Sequence, residues 1–298
     1  MYINTLEVTL TKRTSADVCN VNVNQGTLAV LSLVFEFKIL TAWQLARFLD
    51  QRDESKSLYL KLRNMWKAQL LESFKAHSGD RPGMPVYYML SKKGIVILAE
   101  QGVYDKQHLS NYPEATTLLS SGLFKHEAYV VELASMEAKH TSEKISITFK
   151  GELASASHDQ RSDKNIEVFT PDYTATYSIS GQSRPVYTEF ERTPKSKDAM
   201  NRKLERYLRY LSREQRMGST LRFIFQTPSM EQSFWLNIFE NNPSVLQRLN
   251  LVTTNVSLLQ SYEQFFEAVY SSERTIKLTK PGRLAVDLST RSKLFPFL

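Results

Sequence analysis

The chain has 298 residues, 42% hydrophobic and 23% charged, with one cysteine and a net charge of +7. The length predicts two domains, and the composition excludes intrinsic disorder. Cys19 alone excludes an internal disulfide or a cysteine-based zinc site. No run approaches the roughly 18 apolar residues that span a bilayer, and the N-terminus has no basic segment followed by an apolar one, so the expected location is cytoplasmic, with no membrane partner.

Residues 1–24 read as an extended arm. From residue 25 the pattern becomes helical. Leu28, Leu31, Val34 and Phe35 share one face, and Thr41 is placed to cap a second helix, TAWQLARFL. A third helix runs through about Gln69, with Leu58, Leu62, Met65 and Trp66 as its buried stripe. Lys56, Tyr59, Arg63 and Lys67 line another face at steps of three, four and four. Two extended segments follow, LLESFK and VYYML, joined by a loop that carries Arg81. Ser91 then caps a further helix, SKKGIVILAEQG. Three helices, a hairpin and a helix is the order of a winged helix-turn-helix, expected over 25–104. The third helix would enter the major groove and the hairpin would touch the backbone of double-stranded DNA.

Residues 112–140 read as one long helix, apolar on several sides and therefore buried. Its His126 is expected to be a core histidine rather than a catalytic one. ISITFKGEL follows as a strand, and then a polar loop. Asp172 opens the strand YTATYSI, and RPVYTEFE returns. With Ser180 and Gly181 as the loop, Asp172 stands opposite Glu189. With a four-residue loop it stands opposite Glu191. Either register gathers at least two carboxylates on one side of a hairpin, where their repulsion calls for a divalent cation or nearby Lys and Arg.

The charge of the chain is concentrated immediately afterwards. Residues 192–222 hold ten Lys or Arg against three acids, an excess of seven that equals the net charge of the whole protein. A helix over about 196–213 places Met200, Leu204, Tyr207, Leu208 and Leu211 on its apolar side. Arg202, Arg206, Arg209 and Arg213 lie opposite, and Lys203 sits at the boundary. Such a stripe suits a polyanion backbone. TLRFIFQT and RLNLVTT read as strands, with helices expected from about Gln232 to Glu240 and over SLLQSYEQFFEAVY. Strand and helix alternating after a hairpin imply an α/β domain with a mixed central sheet (α+β over the whole chain), placed at 112–280, with a tail at 281–298.

Over residues 25 to 270 the chain resembles the replication-relaxation proteins of plasmids and other mobile elements. The resemblance rests on SKKGIVILAEQG, on LFKHEAYVVELA, and above all on PDYTATYSI and VYTEFERTPKSKDAMNRKLERYLRYL. It implies a winged helix fused to a restriction-endonuclease-like domain, and a role in replication, DNA relaxation or mobilisation. The superfamily pattern is proline-aspartate, then acid-x-lysine. Asp172 and Glu189 match the acids, but Glu191 stands in the lysine position. In an active enzyme the two acids would hold Mg²⁺, and Lys203 is the candidate to replace the missing lysine.

Three expectations follow. The first is a DNA-binding protein of a mobile element with a degenerate nuclease-like domain. The second is a Mg²⁺-dependent endonuclease or nickase using Asp172, Glu189 and Lys203. The third is a transcription regulator. Partners beyond double-stranded DNA would be replication or conjugation proteins, or a second copy of the chain.

Overall fold

A computed structural model describes residues 9–12, 20–50, 55–77, 85–120, 123–139, 145–155, 170–179, 181–211, 219–261, 263–267, 269–273, 275–279 and 285–294. The protein is mixed α/β, with nine helices and a mixed five-stranded sheet among these residues. It divides into two compact units, Met1–Lys139 with Lys150–Ser162, and His140–Phe149 with Asp163–Leu298. Among the described residues no helix is long and apolar enough to cross a membrane.

The first unit contains β1 (Thr9–Lys12), α1 (Gln25–Phe37), β2 (Leu40–Thr41), α2 (Ala42–Asp50), α3 (Lys56–Lys67), β3 (Leu71–His77), β4 (Val86–Leu90), α4 (Lys92–Glu100), α5 (Lys106–Leu109), α6 (Ala115–Ser120) and α7 (Leu123–Ala138). Helix starts follow short polar side chains that satisfy otherwise unbonded amides. Asn24 accepts from the Thr27 N–H at 3.0 Å, Ser55 from Leu58 at 3.3 Å and Ser91 from Gly94 at 3.1 Å. Thr41 does cap α2, and reciprocally: its hydroxyl accepts from the Gln44 N–H while the Gln44 amide oxygen accepts from the Thr41 N–H. The strands form one antiparallel sheet in the order β1-β3-β4-β2. β2 was not expected. Two residues are too few to show a periodicity, and pairing with β4 makes them a strand.

The segment expected as one helix over 112–140 is broken into α6 and α7, and α7 packs within the first unit. Polar side chains hold it there. Glu132 accepts from Arg47 and Gln44 of α2, both at 2.9 Å. Lys38, whose φ of +62° ends α1, donates to Glu127 of α7 at 2.6 Å and to Glu152. His126 is half-buried on this helix. The chain beyond it is also tied back within this unit, because Glu36 accepts from the Gly151 N–H and from the Tyr104 hydroxyl. A Cβ at Gly151 would stand 2.0 Å from the Glu36 carbonyl oxygen, so only glycine allows this approach.

The second unit contains β5 (Ile145–Gly151, whose last two residues fall in the first unit), β6 (Tyr173–Ile179), β7 (Gln182–Glu191), α8 (Lys197–Leu211), β8 (Thr220–Phe225), α9 (Pro228–Asn241), β9 (Asn250–Asn255), β10 (Lys277–Thr279) and β11 (Ala285–Asp287). The sheet order is β5-β6-β7-β8-β9. β6 and β7 are antiparallel, whereas β7, β8 and β9 run parallel through the crossover helices α8 and α9. β8, TLRFIF, is buried along its whole length, as a central strand covered on both faces must be. Phe223 and Phe225 pack with Leu204 and Tyr207 of α8 and with Phe234 and Trp235 of α9. The helix expected over SLLQSYEQFFEAVY is absent among the described residues. Val256–Leu258 and Glu263–Phe266 form 3₁₀ turns instead, and Tyr270 and Ser271 make strand-like bridges to Ser292 and Thr253. The apolar residues there suit either form, and the bridge to β9 selects the extended one.

Candidate functional site

The β6–β7 hairpin has the two-residue register. Ile179 pairs with Gln182 and Tyr173 with Thr188, and Gly181 lies in the turn. Gly181 there has a φ of +78°, open to glycine without strain. One further step of the register places Asp172 opposite Glu189.

Side chains alternate along β7, so Tyr187, Glu189 and Glu191 share the face that α8 covers. Both glutamates are buried, at 3% and 2% exposure. The Lys203 ammonium of α8 donates to Glu189 Oε2 and, at 2.7 Å, to Glu191 Oε1. The Tyr207 hydroxyl, one turn further along α8, donates to Glu189 Oε1 at 2.6 Å. Lys195, just before α8, donates to Glu191 at 2.9 Å. Asp172 Oδ2 accepts from the Phe190 N–H at 2.7 Å. The cluster is thus three carboxylates, two ammonium groups and a phenol at one end of the hairpin.

The electrostatics are those of a buried, nearly balanced set. Burial pushes the Glu189 carboxyl up, to about 7, against the pull of Lys203; the charge on Asp172 adds to the rise. Burial alone would lower Lys203. Glu189, Glu191 and Asp172 outweigh it, so the ammonium is held above its ordinary range and stays charged. Tyr207 is raised by burial and by the neighbouring carboxylates, so it remains a donor. Among the described residues no group of three or more His, Cys, Asp or Glu is arranged to hold a metal ion.

The arginines of α8 point away from this cluster. Arg202, Arg206 and Arg209 are exposed, while Leu204, Tyr207 and Leu211 are buried. Arg213 falls outside the described residues, as does Arg81. The basic stretch is nevertheless less of a surface than its charge count suggests. Lys203 and Lys195 are engaged with the buried glutamates. Arg222, expected to add to the patch, is 0% exposed on the opposite face of the sheet. Its guanidinium donates to Thr188 Oγ1 and to the Tyr173 hydroxyl, both at 2.9 Å, and lies against the Tyr173 and Phe265 rings.

In the first unit, Leu58, Leu62 and Met65 of α3 are buried. Lys56, Tyr59 and Arg63 are exposed, and Lys67 is half-exposed. The helix contains four Lys or Arg and no acid.

Lys195 and Tyr207 were not expected in the cluster. Lys195 lies four residues beyond Glu191, a spacing visible in the chain, but only the packed sheet buries Glu191 and brings the ammonium onto it. Tyr207 was read only as part of the apolar stripe, because its ring is buried and only its hydroxyl reaches Glu189.

Comparison with protein-family models, curated proteins and solved structures finds no match for this chain.

Proposed function

We propose that this protein binds double-stranded DNA through the exposed basic face of α3 and, separately, through the outer arginine face of α8. The observation that carries the reading is α3 itself: an acid-free helix whose Lys56, Arg63 and Lys67 stand on the side opposite its buried stripe. The order α1, β2, α2, α3, β3, β4, with β2 paired to β4, supports a winged helix-turn-helix in which α3 is the reading helix. An antiparallel hairpin followed by parallel strands with crossover helices, bearing Asp172 and Glu189, supports a restriction-endonuclease-like second domain. On the resemblance noted in the sequence, the DNA is that of a plasmid or other mobile element, and the role is in its replication, relaxation or mobilisation.

The second domain serves in this reading as a binding scaffold. Its acids are compensated from within by Lys203, Lys195 and Tyr207. A Mg²⁺ ion needs carboxylate oxygens to face it, whereas both Glu189 oxygens and one Asp172 oxygen already accept hydrogen bonds. The residues as arranged do not fit the ion. A second reading, a Mg²⁺-dependent endonuclease, is favoured by the register that opposes Asp172 and Glu189, and it requires Lys203 to leave Glu189.

The test uses the full-length chain with a fluorescent duplex and, in parallel, supercoiled plasmid with Mg²⁺ or Mn²⁺. Salt-sensitive binding that weakens in the combined Lys56→Ala, Arg63→Ala, Lys67→Ala variant, without plasmid nicking, is the expected result. Affinity unchanged in that variant would overturn the assignment of α3. Nicking abolished by Asp172→Ala would replace the scaffold reading with the enzymatic one.

A further inference from the structure

Leu60 is 59% exposed, the most exposed of the large apolar side chains among the described residues. Single exposed leucines are ordinary on protein surfaces. This one has unusual neighbours. At about 100° per residue it lies roughly 20° beyond Lys67, 40° from Lys56 and 60° from Arg63, so it borders the basic face on the Lys67 side. Leu58, Leu62 and Met65 already supply the core stripe of α3, and Leu60 adds nothing to it.

On a face that complements a polyanion, an apolar side chain is a gap unless the partner offers an apolar group there. The phosphate backbone offers none. In the major groove of duplex DNA the apolar group among the base edges is the C5-methyl of thymine, and an aliphatic contact with it is an established form of base readout. Arg63 follows Leu60 by three residues, which is about 4.5 Å along the helix axis on the same side. Base pairs are spaced by about 3.4 Å. A helix following the groove therefore carries these two side chains to base pairs one or two steps apart. Arginine paired with the O6 and N7 of guanine is the commonest specific contact in that groove. Lys56 lies one turn before Leu60 and Lys67 one turn after Arg63, placed for the phosphates at either end of the contact.

Resting on the DNA-binding reading above, we propose that α3 selects a thymine by packing Leu60 on its methyl group, within two base pairs of a guanine read by Arg63. Leu60 is a specificity-determining residue, and its loss removes the preference for the thymine methyl.

The experiment begins by selecting sites from randomised duplexes with the full-length protein. Each thymine of the selected site is then replaced by deoxyuridine, which removes only the methyl group. Replacement at one thymine, within two base pairs of a guanine, is expected to weaken binding about four-fold, the worth of one buried methyl. In Leu60→Ala the same replacement makes no difference, while the circular dichroism spectrum stays unchanged. Selection of no preferred site, or a site in which every thymine tolerates deoxyuridine, overturns the proposal and leaves the binding reading standing. A uracil penalty retained in Leu60→Ala assigns the contact to another residue and also overturns it. Absence of binding to any duplex overturns this proposal together with the reading it rests on.

Discussion

The Lys203 ammonium lies 2.7 Å from Glu191 Oε1 and also holds Glu189 Oε2. One helical side chain thereby compensates two buried strand carboxylates. Removing it leaves both in a low-dielectric setting, with only Lys195 and Tyr207 as remaining donors. Lys203→Met should destabilise the second unit by about 3–5 kcal/mol. Adding Glu189→Gln should restore part of that loss, because the buried charge is then removed with its partner. Urea unfolding of the two variants, compared through their midpoints at equal slope, checks both statements.

Stability should depend on pH through Glu189. Its folded-state carboxyl is raised from 4.5 to about 7. Between those values the folded chain binds more protons than the unfolded one, so this contribution falls as pH rises through the window and is flat outside it. The change is on the order of 3 kcal/mol at most. Lys203, raised above 10.5, contributes stability that is complete below that value and is lost above it. Thermal melts of wild type and Glu189→Gln from acid to neutral pH should diverge across the Glu189 window. Parallel curves would show that Glu189 does not titrate there.

Arg202, Arg206 and Arg209 should act without regard to sequence. Replacing all three with alanine is expected to weaken binding to every duplex alike and to flatten the slope of log affinity against log salt by about three. Arg63→Ala should instead change which sites are preferred. Fluorescence anisotropy titrations over a salt series measure the first, and repeated site selection measures the second. An unchanged salt slope in the triple variant would remove α8 from the interface.

Glu231 is a separate, structural case. It is fully buried on α9, and Arg291 grips both its oxygens, with N–O distances of 2.6 and 3.1 Å. Thr253 and Asn255 of β9 also donate to it. Arg291→Ala should cost about 3 kcal/mol or more, since the carboxylate keeps only neutral donors. The cost should shrink when Glu231→Gln is added. A double-mutant cycle by chemical denaturation gives the coupling directly.

Much of the local structure was legible from the chain. The stripes of α3 and α8 follow from apolar residues recurring at helical spacing. The strand VYYML and the capping by Thr41 and Ser91 follow from residue chemistry acting over a few positions. The errors lie where packing chooses between locally acceptable states. SLLQSYEQFFEAVY has the periodicity of a helix, but the bridge between Thr253 and Ser271 draws its end into an extended form. The apolar run around Tyr129 reads from the sequence as the start of the second domain, but it packs within the first, where Arg47, Gln44 and Lys38 bond to its glutamates.

The same division applies to the stretch from Asp172 to Arg209. Sequence by itself determined that at least two carboxylates gather on one side of a hairpin and that a basic, amphipathic helix follows, because strand alternation and helical periodicity are local properties. It could not determine that Lys203 turns inward, that Tyr207 lends its hydroxyl, or that Arg222 is buried behind the sheet. A side chain at the boundary of a helix has two nearly equivalent directions in isolation. Only the sheet packed beneath it, presenting two buried carboxylates, makes one of them decisively lower in energy.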